Sequence, residues 1–193
     1  LKMMMVDPKR VELTSYNGIP HLLTPVVVEL ERVVSSLQWV TREMDERYRR
    51  FAKAGARNIA DYNARMAAGG EKKIPYLIVI IDELAELMMV GAQEVEVFIG
   101  RLAPLARAVG IHLVMATQRP SIDVITGTIK NNFSCRVAFR VPSKVDSRII
   151  IDTMGADKLL GMGDMLFLPP NFPRLIRLHC AYISIPEVRR LVK

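Results

Sequence analysis

Two adjacent carboxylates, Asp82 and Glu83, close an aliphatic run from Leu77 to Ile81 that Pro75 opens. A short, β-branched run of this kind reads as a central parallel strand buried on both faces. In open α/β sheets ligands sit beyond the carboxyl ends of the strands, so both acids would face a site. A nucleoside triphosphatase needs one acid there to hold hydrated Mg²⁺ and a second to orient or deprotonate the attacking water. An acidic pair after a strand also serves as ordinary helix N-terminal chemistry. Taken alone, these residues leave both readings open.

Two further strand ends carry polar groups. Residues 2–6 read as a strand ending at Asp7-Pro8-Lys9-Arg10, where an ordinary turn is the simplest account. Ile111 to Ala116 is another buried strand, ending in Thr117-Gln118. An uncharged hydrogen-bonding tip suits a γ-phosphate sensor, because it feels the phosphate without adding charge. On one rim of a sheet these three ends describe a RecA-like P-loop NTPase core. The expected fold is therefore α/β: a mainly parallel sheet flanked by helices, with antiparallel edge strands near the C-terminus. Gly-x-x-x-x-Gly-Lys-Ser/Thr, the phosphate cradle of that class, occurs nowhere in the 193 residues. Either the chain is not an ATPase or the cradle lies upstream of Leu1; the second is the natural expectation, because in P-loop folds the cradle precedes the strand that starts here. By themselves these residues are expected to bind and hydrolyse ATP poorly.

The remaining elements must position those ends. Thr24 as N-cap and Pro25 at the first helical position predict a long helix that Gly55 stops. Its apolar positions are Leu30, Val33, Val34, Leu37, Met44, Tyr48 and Phe51. A shorter helix is expected from about Asn58 to Gly69-Gly70, so residues 25–70 form a helical excursion. After Glu83 a helix is expected to break at Val90-Gly91. The following pattern, Val95 to Ala106, contains Pro104, where a kink or restart is expected. Strand, helix, strand at this spacing is a βαβ unit. Strands are then expected at Arg136 to Val141, Met165 to Leu168 and Leu175 to Ile183, with a last helix from Pro186. One motor domain over residues 1–193 is the expected organisation.

Composition bounds the function. The hydrophobic share of 50% and charged share of 24% are those of a globular chain. No apolar run approaches the roughly 18 residues a membrane helix needs. The opening at Leu1 suggests a piece of a longer protein, any membrane anchor lying outside it. The net charge of +7 favours a polyanionic partner, nucleic acid before membrane. Cys135 and Cys180 lie in apolar runs and are expected to be buried, and the three histidines have no metal-site spacing.

Several stretches carry a resemblance. Asp7-Pro8-Lys9-Arg10-Val11-Glu12-Leu13, Gly18-Ile19-Pro20-His21-Leu22-Leu23-Thr24 and Met44-Asp45-Glu46-Arg47-Tyr48 resemble the motor region of FtsK/SpoIIIE DNA translocases. So do Gly110 to Ser121, reading GIHLVMATQRPS, Ser143-Lys144-Val145-Asp146-Ser147-Arg148 and Leu160 to Leu166. The resemblance runs through nearly the whole chain in the family's order. It implies a hexameric pump that spends ATP, with Mg²⁺, to thread double-stranded DNA through a central channel at bacterial division or sporulation. The motor would work at the cytoplasmic face of the membrane, with division or segregation proteins as partners. Carried over residue by residue, Asp82 matches the Mg²⁺-holding acid, Glu83 the catalytic carboxylate, and Gln118 with Thr117 the polar sensor. Arg136 matches the arginine presented to a neighbouring subunit's ATP. By position, Lys144 and Arg148 fall in one DNA-facing pore loop and Pro170 to Arg174 near a second, with Arg174 a DNA contact.

The competing classes are a non-catalytic DNA-binding or assembly module and a conjugation or packaging ATPase. Residues 131–135, Pro104, Pro142 and Pro169-Pro170 depart from the family's usual wording, which bears on the pore-loop geometry.

Overall fold

A computed structural model of the chain describes residues 1–170, 172 and 174–192. Two compact units are found, Leu1–Thr117 and Gln118–Leu191.

The first unit is built on three parallel strands, β1 (Lys2–Val6), β2 (Leu77–Ile81) and β3 (Ile111–Met115), in the order β1-β2-β3. Their ends are level: Val6 pairs with Ile81, and Ile81 with Met115. β2 has the range expected. Leu77, Val79 and Ile81 are fully buried, but Ile78 and Ile80 only partly, so one face is better covered than the other.

Helix α1 spans Leu30–Ala54 and turns Val33, Leu37, Val40, Met44 and Phe51 inward at helical spacing. Gly55 ends it in the left-handed conformation at φ 64°, where a residue without Cβ carries no steric penalty. Its start departs from the expectation at Thr24 and Pro25. Val26 and Val27 are buried and extended: Val27 N–H donates to the Met5 carbonyl (2.9 Å), and Asp7 N–H donates to that of Val27 (2.9 Å). Three consecutive β-branched valines favour that pairing along the exposed edge of β1 over a first helical turn. The buried Arg47 of α1 donates to Glu43 Oε1 (2.8 Å) and to the Val109 carbonyl (2.9 Å), tying the helix to the entry of β3.

Helix α2 (Ile59–Ala68) is capped by Asn58, whose side chain accepts from Asp61 N–H. Asn63 on α2 accepts from Ile74 N–H (2.8 Å) and donates to the Ile74 carbonyl (2.9 Å), fixing the approach to β2. Helix α3 (Leu84–Leu105) breaks at Gly91 (φ −158°, ψ 52°), as expected. Its interior departs from helical geometry there and not at Pro104, which sits in the last turn.

The second unit has a three-stranded antiparallel sheet in the order β4-β5-β6: β4 (Arg136–Phe139), β5 (Asp164–Leu168) and β6 (Ile176–His179). The chain from Gln118 on also carries α4 (Gly127–Asn132), α5 (Lys144–Ile151), which packs on β4, and α6 (Ile185–Val192). Its small core holds Ala138, Ile151, Ala156 and Leu159, with Val141, Ile150, Leu166 and Leu175 against them. β4 and β6 are shorter than the apolar runs suggest, whereas β5 begins one residue earlier than expected. Both cysteines are exposed, correcting the expectation of burial. Cys180 follows β6, a strand exposed at all four positions, and Cys135 lies in the turn before β4. Hydrophobic neighbours in sequence do not bury a side chain on an edge strand.

Candidate nucleotide-hydrolysis site

Level strand ends bring the first unit's polar residues together. The Asp82 N–H donates to the Val6 carbonyl (2.9 Å), and the Leu84 N–H to that of Ala116 (2.8 Å), so the chain leaving β2 is stitched between its neighbours. Glu83 lies between these bonds with φ 56° and ψ 71°. A left-handed non-glycine residue costs of order 1–3 kcal/mol and persists only where its surroundings over-determine it. This peptide geometry turns the Glu83 side chain back under the rim, where it is 1% exposed.

The buried carboxylate is held from both flanking strands. The Lys9 ammonium, beyond β1, donates to Oε2 at 2.8 Å. The Thr117 hydroxyl, beyond β3, donates to Oε1 at 2.5 Å. A buried charge stays ionised only when paired and hydrogen-bonded in this way.

Asp82, partly buried beside it, has different surroundings. Burial holds its carboxyl above the usual range, and Asp7, Glu12 and Glu83 add to that by like-charge repulsion, against the opposing pull of Lys9. Asp7 is fully buried: its Oδ2 accepts from the N–H groups of Glu12 (3.1 Å) and Leu13 (2.9 Å). Its Oδ1 has no hydrogen-bond partner among the described residues. Such crowded negative charge favours a cation. Among the described residues no three His, Cys, Asp or Glu side chains converge as a metal cage. The fit is therefore to a hard cation such as Mg²⁺ that takes one or two carboxylates and fills its remaining positions with water and phosphate.

The structure thus brings Glu83 and Thr117 together beside Asp82, on the rim where Asp7 was also expected, and adds Lys9. Lys9 was read only as part of a turn. The signal was an acid and a lysine two apart at the end of a strand level with β2. Gln118, the other half of the expected sensor, follows Thr117 directly and opens the second unit.

The other expected residues lie in the second unit. Arg136, expected to reach a neighbouring subunit, is held within its own chain by hydrogen bonds. It donates to the carbonyls of Phe133 (2.9 Å), Ile150 (3.3 Å) and Lys130 (3.0 Å) and pairs with the Asp152 carboxylate, which Lys130 also contacts. Asp152 ends α5 in the left-handed conformation and so presents its carboxylate to both cations. Lys144 and Arg148 stand one turn apart on α5 and both are exposed, behind the Ser143 cap that accepts from Asp146 N–H. Arg174 is exposed as well, while Asn171 and Pro173 of that expected loop lie outside the described residues.

Three parallel strands flanked by helices give the chain the fold of P-loop ATPase motor domains. Solved structures agree. The chain superposes with TM-score 0.81 and 30% identity on the pCW3 conjugation coupling protein TcpA, in a form with ATPgS, covering all of this chain and 57% of that one. It superposes with TM-score 0.80 and 22% identity on the cytoplasmic domain of the Thermomonospora curvata type VII secretion ATPase EccC, covering all of this chain and 24% of that one. Residues 1–122 match the FtsK/SpoIIIE family, and the chain belongs to it. It is 50% identical over 192 residues to a DNA translocase FtsK of Campylobacter jejuni and 53% identical over 193 residues to that of Clostridium acetobutylicum. All of this chain is covered in both, but only 20% and 25% of those relatives, so it spans about a quarter of their length or less.

Proposed function

We propose that this chain supplies the water-activating half of the ATP site in a DNA-translocating motor. The observation that carries the reading is the convergence of Lys9, Glu83 and Thr117 beside Asp82 at three level strand ends. Asp82 would hold Mg²⁺ through its water shell, and the ion would supply positive charge against the negative charge that develops on the phosphates. Glu83 accepts the proton of the attacking water as the new P–O bond forms at the γ-phosphorus. The bond from that phosphorus to the β,γ-bridging oxygen breaks, leaving ADP and phosphate. Thr117 orients the Glu83 carboxylate, and Gln118 would sense the γ-phosphate. For Arg136 to serve a neighbouring subunit its pair with Asp152 must open, with phosphate oxygens replacing the carboxylate. Mixing Arg136→Ala with wild-type subunits tests that role, since it requires turnover to depend non-linearly on the mixing ratio.

The substrate proposed is double-stranded DNA, moved by a homo-hexamer. Lys144, Arg148 and Arg174 would meet phosphates and so bind without sequence preference. About 50% identity to DNA translocases over the whole chain supports this over a conjugation motor, which the likeness to TcpA at 30% identity favours less. No helix among the described residues is long and apolar enough to cross a membrane. A parent anchored elsewhere in its sequence, with this motor at the cytoplasmic face, is the arrangement proposed, working with division or segregation proteins. The test is ATP turnover by the full-length protein with and without double-stranded DNA. Strong DNA stimulation is expected, and its absence with an intact hexamer overturns the reading.

A further inference from the structure

The reaction needs a water molecule at Glu83, yet the described arrangement keeps water away. The carboxylate is 1% exposed, with Lys9 on one oxygen and Thr117 on the other. The peptide carrying it is held in a left-handed conformation, the kind of stored strain that accompanies bistable segments. Of the two contacts, the lysine is the more mobile, having a long flexible stem and lying 31% exposed. An alternative seat stands nearby. Asp7 Oδ1 is buried and unpartnered among the described residues. Its residue is two positions from Lys9, a separation of roughly 7 Å at most along the backbone and within the reach of a lysine stem. The ammonium therefore has a second anion to move to, and such a move uncovers Glu83 Oε2 while Lys9 stays paired and Thr117 keeps its bond to Oε1.

We infer that Lys9 is a positioning residue that latches Glu83 in a resting conformation, and that turnover requires Lys9 to release it. The inference rests on Glu83 being the water-activating base. Nothing is transferred covalently in the step: one ion pair exchanges for another. A latch restrains turnover most when nothing drives its release, so its removal should show first in the absence of DNA.

The experiment uses the full-length hexamer carrying Lys9→Met, which keeps the stem and removes the charge, and Lys9→Arg, which keeps the charge. ATP turnover is measured with and without double-stranded DNA, alongside hexamer content. Lys9→Met is expected to raise DNA-independent kcat about threefold or more, to leave KM for ATP within roughly twofold, and to shrink the stimulation by DNA. Lys9→Arg is expected to restore wild-type behaviour. Equal losses of basal and stimulated kcat in Lys9→Met, or a rise in KM with basal kcat unchanged, overturn the latch. If Lys9→Met does not assemble, Lys9→Gln and Lys9→Arg are compared in its place; basal kcat no higher in Lys9→Gln than in Lys9→Arg overturns it too. Glu83→Gln separates the two layers. Turnover surviving in Glu83→Gln removes the base, whereas a dead Glu83→Gln beside a Lys9→Met whose DNA-independent kcat is not raised removes only the latch.

Discussion

Asp82 and Asp164 are the same side chain put to opposite uses. Asp164 opens β5 and is buried under the Arg177 guanidinium, which donates to both carboxylate oxygens at 2.9 and 2.7 Å, with the Leu160 N–H adding a third bond at 2.8 Å. Arg177 first, and then that N–H, bring its carboxyl down to about 2. Asp82 has no comparable cation: burial and three neighbouring carboxylates push it the other way. One unit spends its carboxylate on holding antiparallel strands together. The other keeps an under-compensated carboxylate at the end of parallel strands, which is how a candidate cation site differs from a structural ion pair.

That contrast predicts separable failures. The largest effect is expected from Asp82→Asn in the full-length protein: about 3 kcal/mol or more of transition-state stabilisation is lost, roughly a hundredfold in kcat. Its melting temperature should hold or rise, since a repelled charge has gone. Asp164→Asn should do the reverse, lowering the melting temperature and sparing kcat. Turnover and thermal melts on both variants decide the matter, and a common pattern in the two would erase the distinction.

Next in size is Gly163→Ala. Gly163 sits at φ 98°, and a Cβ there would lie 2.5 Å from the backbone oxygen of Cys180. The left-handed penalty and the clash together cost about 3 kcal/mol, a fall of roughly 6–12 °C in Tm. Gly55→Ala in the first unit also has positive φ but meets no atom closer than 3.7 Å. It should therefore cost about 1 kcal/mol.

A smaller effect belongs to the exposed pair on α5. Replacing both Lys144 and Arg148 with Ala should reduce the slope of log affinity for double-stranded DNA against log salt by roughly 2, with kcat at saturating DNA little changed. An unaltered slope would remove α5 from the DNA surface.

The smallest is a pH effect. Asp164 is lowered in the folded chain, so its contribution is complete above the ordinary aspartate range near 4. It fades as pH falls towards about 2. Thermal melts of wild type should therefore drop more steeply than those of Asp164→Asn between these limits.

Much of the first unit was legible because its signals are local. Leu77 to Ile81 has strand length and composition, Gly55 and Asn58 are cap residues at helix ends, and Gly91 breaks α3 where it was expected to. What stayed hidden depends on neighbours distant in sequence. The valines at 26–28 follow a plausible N-cap, and only the exposed edge of β1 makes them extended. Lys9 looked like a turn residue because its partner, Glu83, lies 74 positions away. Arg136 was read from its place in a motif, but four acceptors from 130–152 decide where its guanidinium goes. The cysteines sit in apolar words, yet the edge of a three-stranded sheet leaves them exposed.

The central claim is that Glu83 activates water at an ATP site whose cation is held by Asp82. The most direct measurement is ATP binding and DNA-stimulated turnover by full-length Glu83→Gln, an isosteric change that removes the charge and keeps one of the two acceptor oxygens. Turnover reduced by about 10²–10⁴ with ATP affinity retained is the predicted result. Turnover close to wild type in a protein that still binds ATP would contradict it.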